Sequence, residues 1–136
     1  MLIKEFISQT NKNQMISVLL KHYGVGSVKV KQKSMKDHAH YNVDTGTLEL
    51  STKYKTIKTS QTKEFLITII HEIYHAMDAK KYGWRKFKDM YEMEMNYQIG
   101  QGKDEYKDNK YEIAAEEFGQ KNYKRWLQKF KKQGLI

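Results

Sequence analysis

The chain has 136 residues, contains no cysteine and carries a formal net charge of +9 at neutral pH. This length predicts one domain, residues 1–136. The lack of cysteine excludes disulfides, cysteine-ligated zinc sites, iron–sulfur clusters and cysteine nucleophiles. No apolar run reaches the ~18 residues that span a bilayer, and the first residues lack the apolar core of a signal peptide. We therefore expect a cytoplasmic protein that does not insert into membranes.

The first half of the chain is predicted to contain short strands and one helix. Strand-like alternation of apolar and polar residues occurs in four segments, at residues 2–7, 28–33, 38–43 and 47–51. Turn residues between the last two strands predict a hairpin. The helix lies between the first two strands, with Thr10 or Asn11 as its expected N-cap and Gly24 at its C-terminal end.

The second half is predicted to be helical. Apolar residues recur at helical spacing in four segments, at residues 62–81, 84–98, 109–118 and 123–130. Gly83 is expected to end the first of these helices, and Gly119 to interrupt the last two. Strands followed by helices predict an α+β fold, with a small mixed or antiparallel sheet whose edge strand lies above a central helix.

The helix predicted over residues 62–81 carries the pattern His-Glu-x-x-His at His71, Glu72 and His75. Positions four apart lie on the same helix face, so both imidazoles can bind one ion. On a helical wheel the two histidines lie roughly opposite the apolar stripe, which places them outside the core. In a chain of this composition the pattern is expected by chance about 0.013 times. It predicts a Zn²⁺ site with His71 and His75 as ligands and Glu72 as general base.

A catalytic zinc site needs a third protein ligand and an open position for water. No histidine follows His75, so the remaining candidates are carboxylates. Glu112 is the preferred ligand, because it lies in a second helical segment beside small alanines that allow close helix packing. Glu116, one turn further on, either supports the site or is itself the ligand in place of Glu112. Asp78 lies on the same face as the two histidines and is expected to orient an imidazole N–H.

A His-Glu-x-x-His pattern followed by a separate glutamate-bearing helix resembles the gluzincin metallopeptidases. Residues 112–119, with the sequence EIAAEEFG, resemble the E-x-E-A-D/N-x-F-A segment of the ImmA/IrrE family and of related small phage and mobile-element metallopeptidases. Glu112, Ala115 and Phe118 match that segment, and three other positions differ from it. The short chain is also similar to minimal gluzincins, which consist of little more than the catalytic core.

The resemblance implies a zincin-like endopeptidase of narrow specificity. Glu72 would accept a proton from the zinc-bound water and return it to the leaving amine. The substrate would bind as an added strand along the sheet edge, just upstream of the metal helix. The residues of that expected edge strand are Thr47, Leu48, Glu49, Leu50 and Ser51. The candidates for stabilising the oxyanion are left open among His40, Tyr41, Tyr74 and Tyr97.

Other interpretations remain open at this stage. The basic charge also fits a nucleic-acid-associated or structural protein with a vestigial or structural metal site, although such a site would not need Glu72. A third interpretation is an enzyme kept latent by its own C-terminal segment. The apolar stripe of that segment is expected to dock as a last core helix, or else to bind a partner, nucleic acid or an anionic surface. The residues of the stripe are Tyr123, Trp126, Leu127 and Phe130. We expect a monomer that acts on a protein or peptide, by resemblance a transcriptional repressor.

Overall fold

A computed structural model describes residues 5–136. The α+β class and the helical C-terminal half are confirmed. The strands are β1 (Phe6–Ile7), β2 (Lys29–Lys33), β3 (Ala39–Asn42), β4 (Thr47–Ser51) and β5 (Ile57–Lys58). The helices are α1 (Gln9–His22), α2 (Thr62–Tyr82), α3 (Trp84–Gly100) and α4 (Lys110–Lys132). Short 3₁₀ turns at Thr52–Tyr54 and Thr59–Gln61 flank β5.

The three-stranded sheet has the order β2-β4-β3, so the edge-strand prediction for Thr47–Ser51 is wrong. β4 lies in the centre, with β2 parallel on one side and β3 antiparallel on the other. All five of its residues are buried, and Leu48 and Leu50 make it the most apolar of the three strands, which favours the central position. The polar strand β3, with the sequence Ala-His-Tyr-Asn, takes the edge instead. The predicted hairpin between β3 and β4 is confirmed.

The N-terminal part differs from the prediction at its helix cap. Ser8, rather than Thr10 or Asn11, is the N-cap of α1, and its hydroxyl accepts a hydrogen bond from the backbone N–H of Asn11 at 3.1 Å. The predicted first strand is found only at its end, where β1 pairs antiparallel with β5. Residues 2–4 of that prediction lie outside the described residues. Gly24 follows the helix end with a φ of 74°, as expected for a C-terminal glycine.

α2 is the central helix, and its apolar stripe is confirmed as core. Phe65, Leu66, Ile69, Ile70 and Ile73 are each 0% exposed and pack with residues of α1, β4 and α4 in one hydrophobic cluster. Gly83 ends the helix with a positive φ of 87°. The opposite face of α2, which carries the two histidines, points towards α3 and the first two turns of α4. The core therefore fixes the helix that presents the predicted metal ligands.

The predicted interruption at Gly119 is wrong, because α4 runs without a break from Lys110 to Lys132. A Cβ atom on Gly119 would lie 2.9 Å from the backbone oxygen of Ile67 on α2 and 3.3 Å from its Cγ2. The glycine thus marks a close crossing of two helices rather than a helix end. Ala115, one turn earlier, is also fully buried in this interface.

The C-terminal half of α4 docks on the domain, as expected. Trp126 is 1% exposed and donates a hydrogen bond from its indole N–H to the Tyr23 hydroxyl at 2.9 Å. Phe130 is fully buried, while the lysines of this segment are exposed. Across residues 5–136, no helix combines the length and the apolar character needed to cross a membrane.

Candidate metal centre

The structure brings His71, His75 and Glu112 together in one buried group that could hold a metal ion. The two histidines project from consecutive turns of α2, and Glu112 projects from the first turn of α4, which crosses α2. The three residues are between 5% and 8% exposed. Because all three stand on long, well-packed helices, their positions are fixed by the core rather than by a loop.

Glu112 lies between the two imidazoles. Its Oε1 is 2.8 Å from Nε2 of His71 and 2.8 Å from Nε2 of His75. Ligand atoms about 2.0–2.2 Å from a tetrahedral zinc ion lie roughly 3.4 Å apart. Binding an ion would therefore lengthen each of these two contacts by about half an ångström. Two neutral imidazoles and one carboxylate are also a donor set that suits zinc.

The charges of the group are strongly coupled. Burial alone would raise the pKa of Glu112, but its hydrogen bonds with His71 and His75 outweigh burial and hold the pKa well below the usual range. Burial would lower the pKa of His71, but the carboxylates of Glu112, Glu72 and Glu116 outweigh it and raise the pKa to about 9. Without a metal, the positive charge that balances the carboxylates is therefore a proton held on imidazole.

The two residues expected to support the ligands behave differently. Glu116 Oε2 lies 2.9 Å from Nδ1 of His71, on the far side of the ring from Glu112, and so fixes the orientation of that imidazole. Asp78 does not do the same for His75, because the buried Nδ1 of His75 has no hydrogen-bond partner in the described part of the chain. The role expected for Asp78 is wrong. Its carboxylate is half-buried, and burial raises its pKa.

Tyr91 is a residue of the site that the sequence analysis missed. Its hydroxyl donates a short hydrogen bond to Oε2 of Glu112, the oxygen that does not face the histidines. Burial and this hydrogen bond raise the pKa of Tyr91 well above its usual range, so the phenol stays protonated and remains a donor. Tyr91 belongs to the periodicity that predicts a helix over residues 84–98, and apolar periodicity alone cannot show that its hydroxyl reaches α4.

Glu72 lies beside the metal group without joining it. The side chain is 6% exposed and has no hydrogen-bond partner in the described residues, and it lines the two cavities that meet at the site. Burial raises the pKa of its carboxyl group, opposed by the charges of His75 and His71. A buried carboxylate with free oxygens next to a metal group can accept a proton from a nearby water.

The cavity next to Glu72, His75 and Glu112 has a volume of about 450 Å³. One wall is the edge strand β3 and the opposite wall is α3. The residues of β4 that were predicted to bind substrate, from Thr47 to Ser51, do not line it, because β3 separates them from it. His40 and Tyr41 of the oxyanion candidates line this cavity.

A second cavity of about 950 Å³ continues the cleft on the other side of Glu72 and ends at His71 and Glu116. The loop before α4 borders both cavities through Tyr106. Neither Tyr74 nor Tyr97 lines this cleft. No described residue after Gln120 lines either cavity, so the C-terminal segment does not cover the cleft as a latent enzyme would require.

Comparison of the chain with protein-family models, with curated proteins and with solved structures gives no match.

Proposed function

We propose that the protein is a zinc-dependent metallopeptidase. The observation that carries the proposal is the combination of a buried His71–His75–Glu112 group with a separate buried carboxylate, Glu72, at the junction of an open cleft. A purely structural metal site is closed by four ligands and has no use for a fifth, uncoordinated acid. A hydrolytic site needs three protein ligands, an open position and a base beside it.

Zinc fits this donor set better than the harder ions. Magnesium and calcium prefer sites made of oxygen ligands, whereas this group offers two imidazole nitrogens and one carboxylate. Bound zinc supplies Lewis acidity, which lowers the pKa of water towards neutrality and polarises a carbonyl group. His71 and His75 would hold the ion through Nε2 and Glu112 through Oε1. The ring of His71 is held by Glu116 and the carboxylate of Glu112 by Tyr91.

The remaining chemistry belongs to the chain's own residues. Glu72 would accept a proton from the attacking water and deliver it to the leaving amine. A peptide would lie in the cleft against the free edge of β3, where unpaired backbone groups can form strand-like hydrogen bonds with it. Tyr106, His40 and Tyr41 border the cleft near Glu72, and any of them can supply a hydrogen-bond donor to the carbonyl oxygen.

This arrangement supports the resemblance to the gluzincins and to small ImmA/IrrE-like enzymes. The metal pattern lies on a central helix, the third candidate ligand on a later helix, and an edge strand borders the cleft, as the zincin-like fold requires. We extend the proposal to a peptide or protein substrate, with a transcriptional repressor as the candidate that the resemblance suggests.

The second candidate function is nucleic-acid association through α4. The outer face of this helix exposes Lys121, Lys124, Arg125 and Lys129, a pattern that suits contact with phosphates. This surface is separate from the cleft, so the two functions can be tested independently. Phosphate binding would not require Glu72.

The deciding experiment compares Glu72→Gln with the unaltered protein, and with Glu117→Gln as a control for an exposed glutamate outside the cleft. Zinc content is measured by elemental mass spectrometry, and hydrolysis is measured on a peptide library. Glu72→Gln should retain zinc and fold, and hydrolysis should fall by the ~10²–10⁴-fold typical of a lost general base. Glu117→Gln should change neither quantity.

Retention on DNA across a salt series is measured on the same three proteins. An unaltered protein that holds zinc but cleaves no peptide, and whose DNA binding falls steeply with salt, would contradict the peptidase and favour the second function. Loss of zinc in Glu72→Gln would contradict the assignment of Glu72 as a residue outside the metal group.

A further inference from the structure

Carboxylates are concentrated around the cleft of a chain that is otherwise basic. Nine of the 16 acidic residues line the two cavities, against three of the 25 lysines and arginines. With histidine counted as neutral, the lining therefore has a formal charge of −6, although the whole chain has +9. The acidic lining residues outside the metal group and its partners are Asp37, Asp44, Glu64, Glu92, Asp104 and Glu105.

Three of these carboxylates are already satisfied within the protein. Asp44 pairs with Lys88 at 2.8 Å, and Glu64 pairs with Lys53 at 3.2 Å. Asp104 accepts backbone hydrogen bonds in its own loop. Their charges contribute to the potential in the cleft, but they are not free to bind a ligand directly.

The other three have no hydrogen bond and no ion pair among residues 5–136. Asp37 precedes the edge strand β3 and lines both cavities, Glu92 lies on α3, and Glu105 lies in the loop before α4. These positions surround Glu72, which is itself buried, unpartnered and open to both cavities. Free carboxylates thus stand on three walls of the cleft, around the point where chemistry is proposed.

We infer that the cleft selects basic peptides, with lysine or arginine on either side of the bond to be cut; this rests on the proposed peptidase function. A bound divalent cation would change the formal charge of the lining only from −6 to −4, so the cleft stays negative. Such a potential attracts cationic segments and repels phosphates, which argues against nucleic acid in the cleft. The positively charged remainder of the surface would repel the same basic peptide, which makes the cleft its preferred site.

The test measures binding separately from cleavage. The zinc-loaded full chain with Glu72→Gln serves as the background, so that peptides are bound but not consumed. The probes are three fluorescein-labelled ten-residue peptides that differ only at four positions, which are all Lys, all Gln or all Glu. Fluorescence anisotropy should give the order Lys, then Gln, then Glu, with the Lys peptide bound most tightly despite the net charge of the protein.

The double substitution Asp37→Asn with Glu92→Gln should weaken binding of the Lys peptide about three- to tenfold, since each exposed ion pair contributes a small factor. The loss should shrink as salt is added. The matched control is Asp89→Asn with Glu117→Gln, which removes two exposed carboxylates outside the cavities and should leave binding unchanged.

The outcomes separate this inference from the proposed function. Equal binding of the three peptides, or tightest binding of the Glu peptide, overturns the inference. Cleavage by the unaltered protein without preference for basic residues also overturns it and leaves the peptidase intact. Binding of the Lys peptide through Asp37 and Glu92 without any cleavage would sustain the basic selectivity of the cleft and overturn the peptidase.

Discussion

Gly119→Ala tests whether the close crossing of α2 and α4 holds the metal group together. The added Cβ would lie 2.9 Å from the backbone oxygen of Ile67, where ordinary contacts begin near 3.4 Å. The oxygen belongs to the backbone in the middle of a helix and cannot rotate away, so the two helices must separate by about half an ångström at this point. Forced overpacking of this kind costs about 1–3 kcal/mol.

The helix propensity of the new alanine offsets part of this loss of stability. Alanine is a better helix former than glycine by about 0.5–1 kcal/mol. Because the Ile67 oxygen cannot move aside, the cost of the clash should lie in the upper part of the range of about 1–3 kcal/mol. The net loss in the free energy of unfolding should therefore be about 1–2 kcal/mol. Glu112 lies two turns before Gly119 on the same helix, so the displacement should also weaken zinc binding.

The assay is urea unfolding in the presence of a chelator, so that metal binding does not contribute. With a slope of about 2 kcal/mol per molar urea, the middle of the typical range, the midpoint should fall by about 0.5–1 M. Gly100→Ala is the matched control, because Gly100 is helical, has no positive φ and has no atom within 4 Å of the added Cβ. It should be neutral or slightly stabilising. A Gly119→Ala protein as stable as the unaltered one would refute the tight crossing.

Three further predictions concern single carboxylates and their partners. Glu112→Ala should lower zinc affinity by more than 100-fold, whereas Glu116→Ala should lower it about 10–100-fold. Competition with a chelating dye measures both affinities. The reverse order would mean that Glu116 is the ligand and Glu112 its support. Tyr91→Phe should lower zinc affinity about tenfold in the same assay without changing the fold, because it frees one oxygen of Glu112. Unchanged affinity would mean that the Tyr91 hydroxyl does not position Glu112. The hydrogen bond from Tyr54 lowers the pKa of Glu64. Its stabilising effect is therefore present above the unfolded value of 4.5 and is lost as the pH falls through the lower folded value. Glu64→Gln should be less stable than the unaltered protein in urea at pH 7, and the difference should narrow towards pH 3; a constant difference would contradict this.

The elements of the fold with strong local signals could be predicted from the sequence. The apolar stripe and the terminal Gly83 are sufficient to define α2, since periodicity and helix termination are local properties. The helical wheel of this segment also places His71 and His75 outside the core. The choice of Glu112 over Glu116 as ligand stays a prediction, although Glu112 is the one that contacts both imidazoles. Small residues such as Ala115 indicate the close helix contact that this requires.

The wrong predictions share one physical cause: a local sequence pattern does not show which distant residues an element will contact. The alternation in Thr47–Ser51 shows a strand but not how many neighbours it has, and in the structure flanking strands pair with both of its edges. Gly119 looks like a helix end by propensity, whereas the approach of Ile67 from another helix explains it. The sequence does not reveal Tyr91, because its hydroxyl reaches Glu112 on another helix, or Tyr106, because its loop joins the cleft only in the folded chain.

The site depends on these long-range contacts in a consistent way. The two histidines stand on a helix fixed by the core, and Glu112 reaches them only because Gly119 and Ala115 let α4 cross α2 at close range. The residue that most resembles a helix breaker therefore sets the distance between the candidate metal ligands. A group of candidate ligands built on two packed helices is preorganised to accept an ion. The proposed selectivity, by contrast, depends on the edge strand, α3 and a loop, which can change without disturbing that crossing.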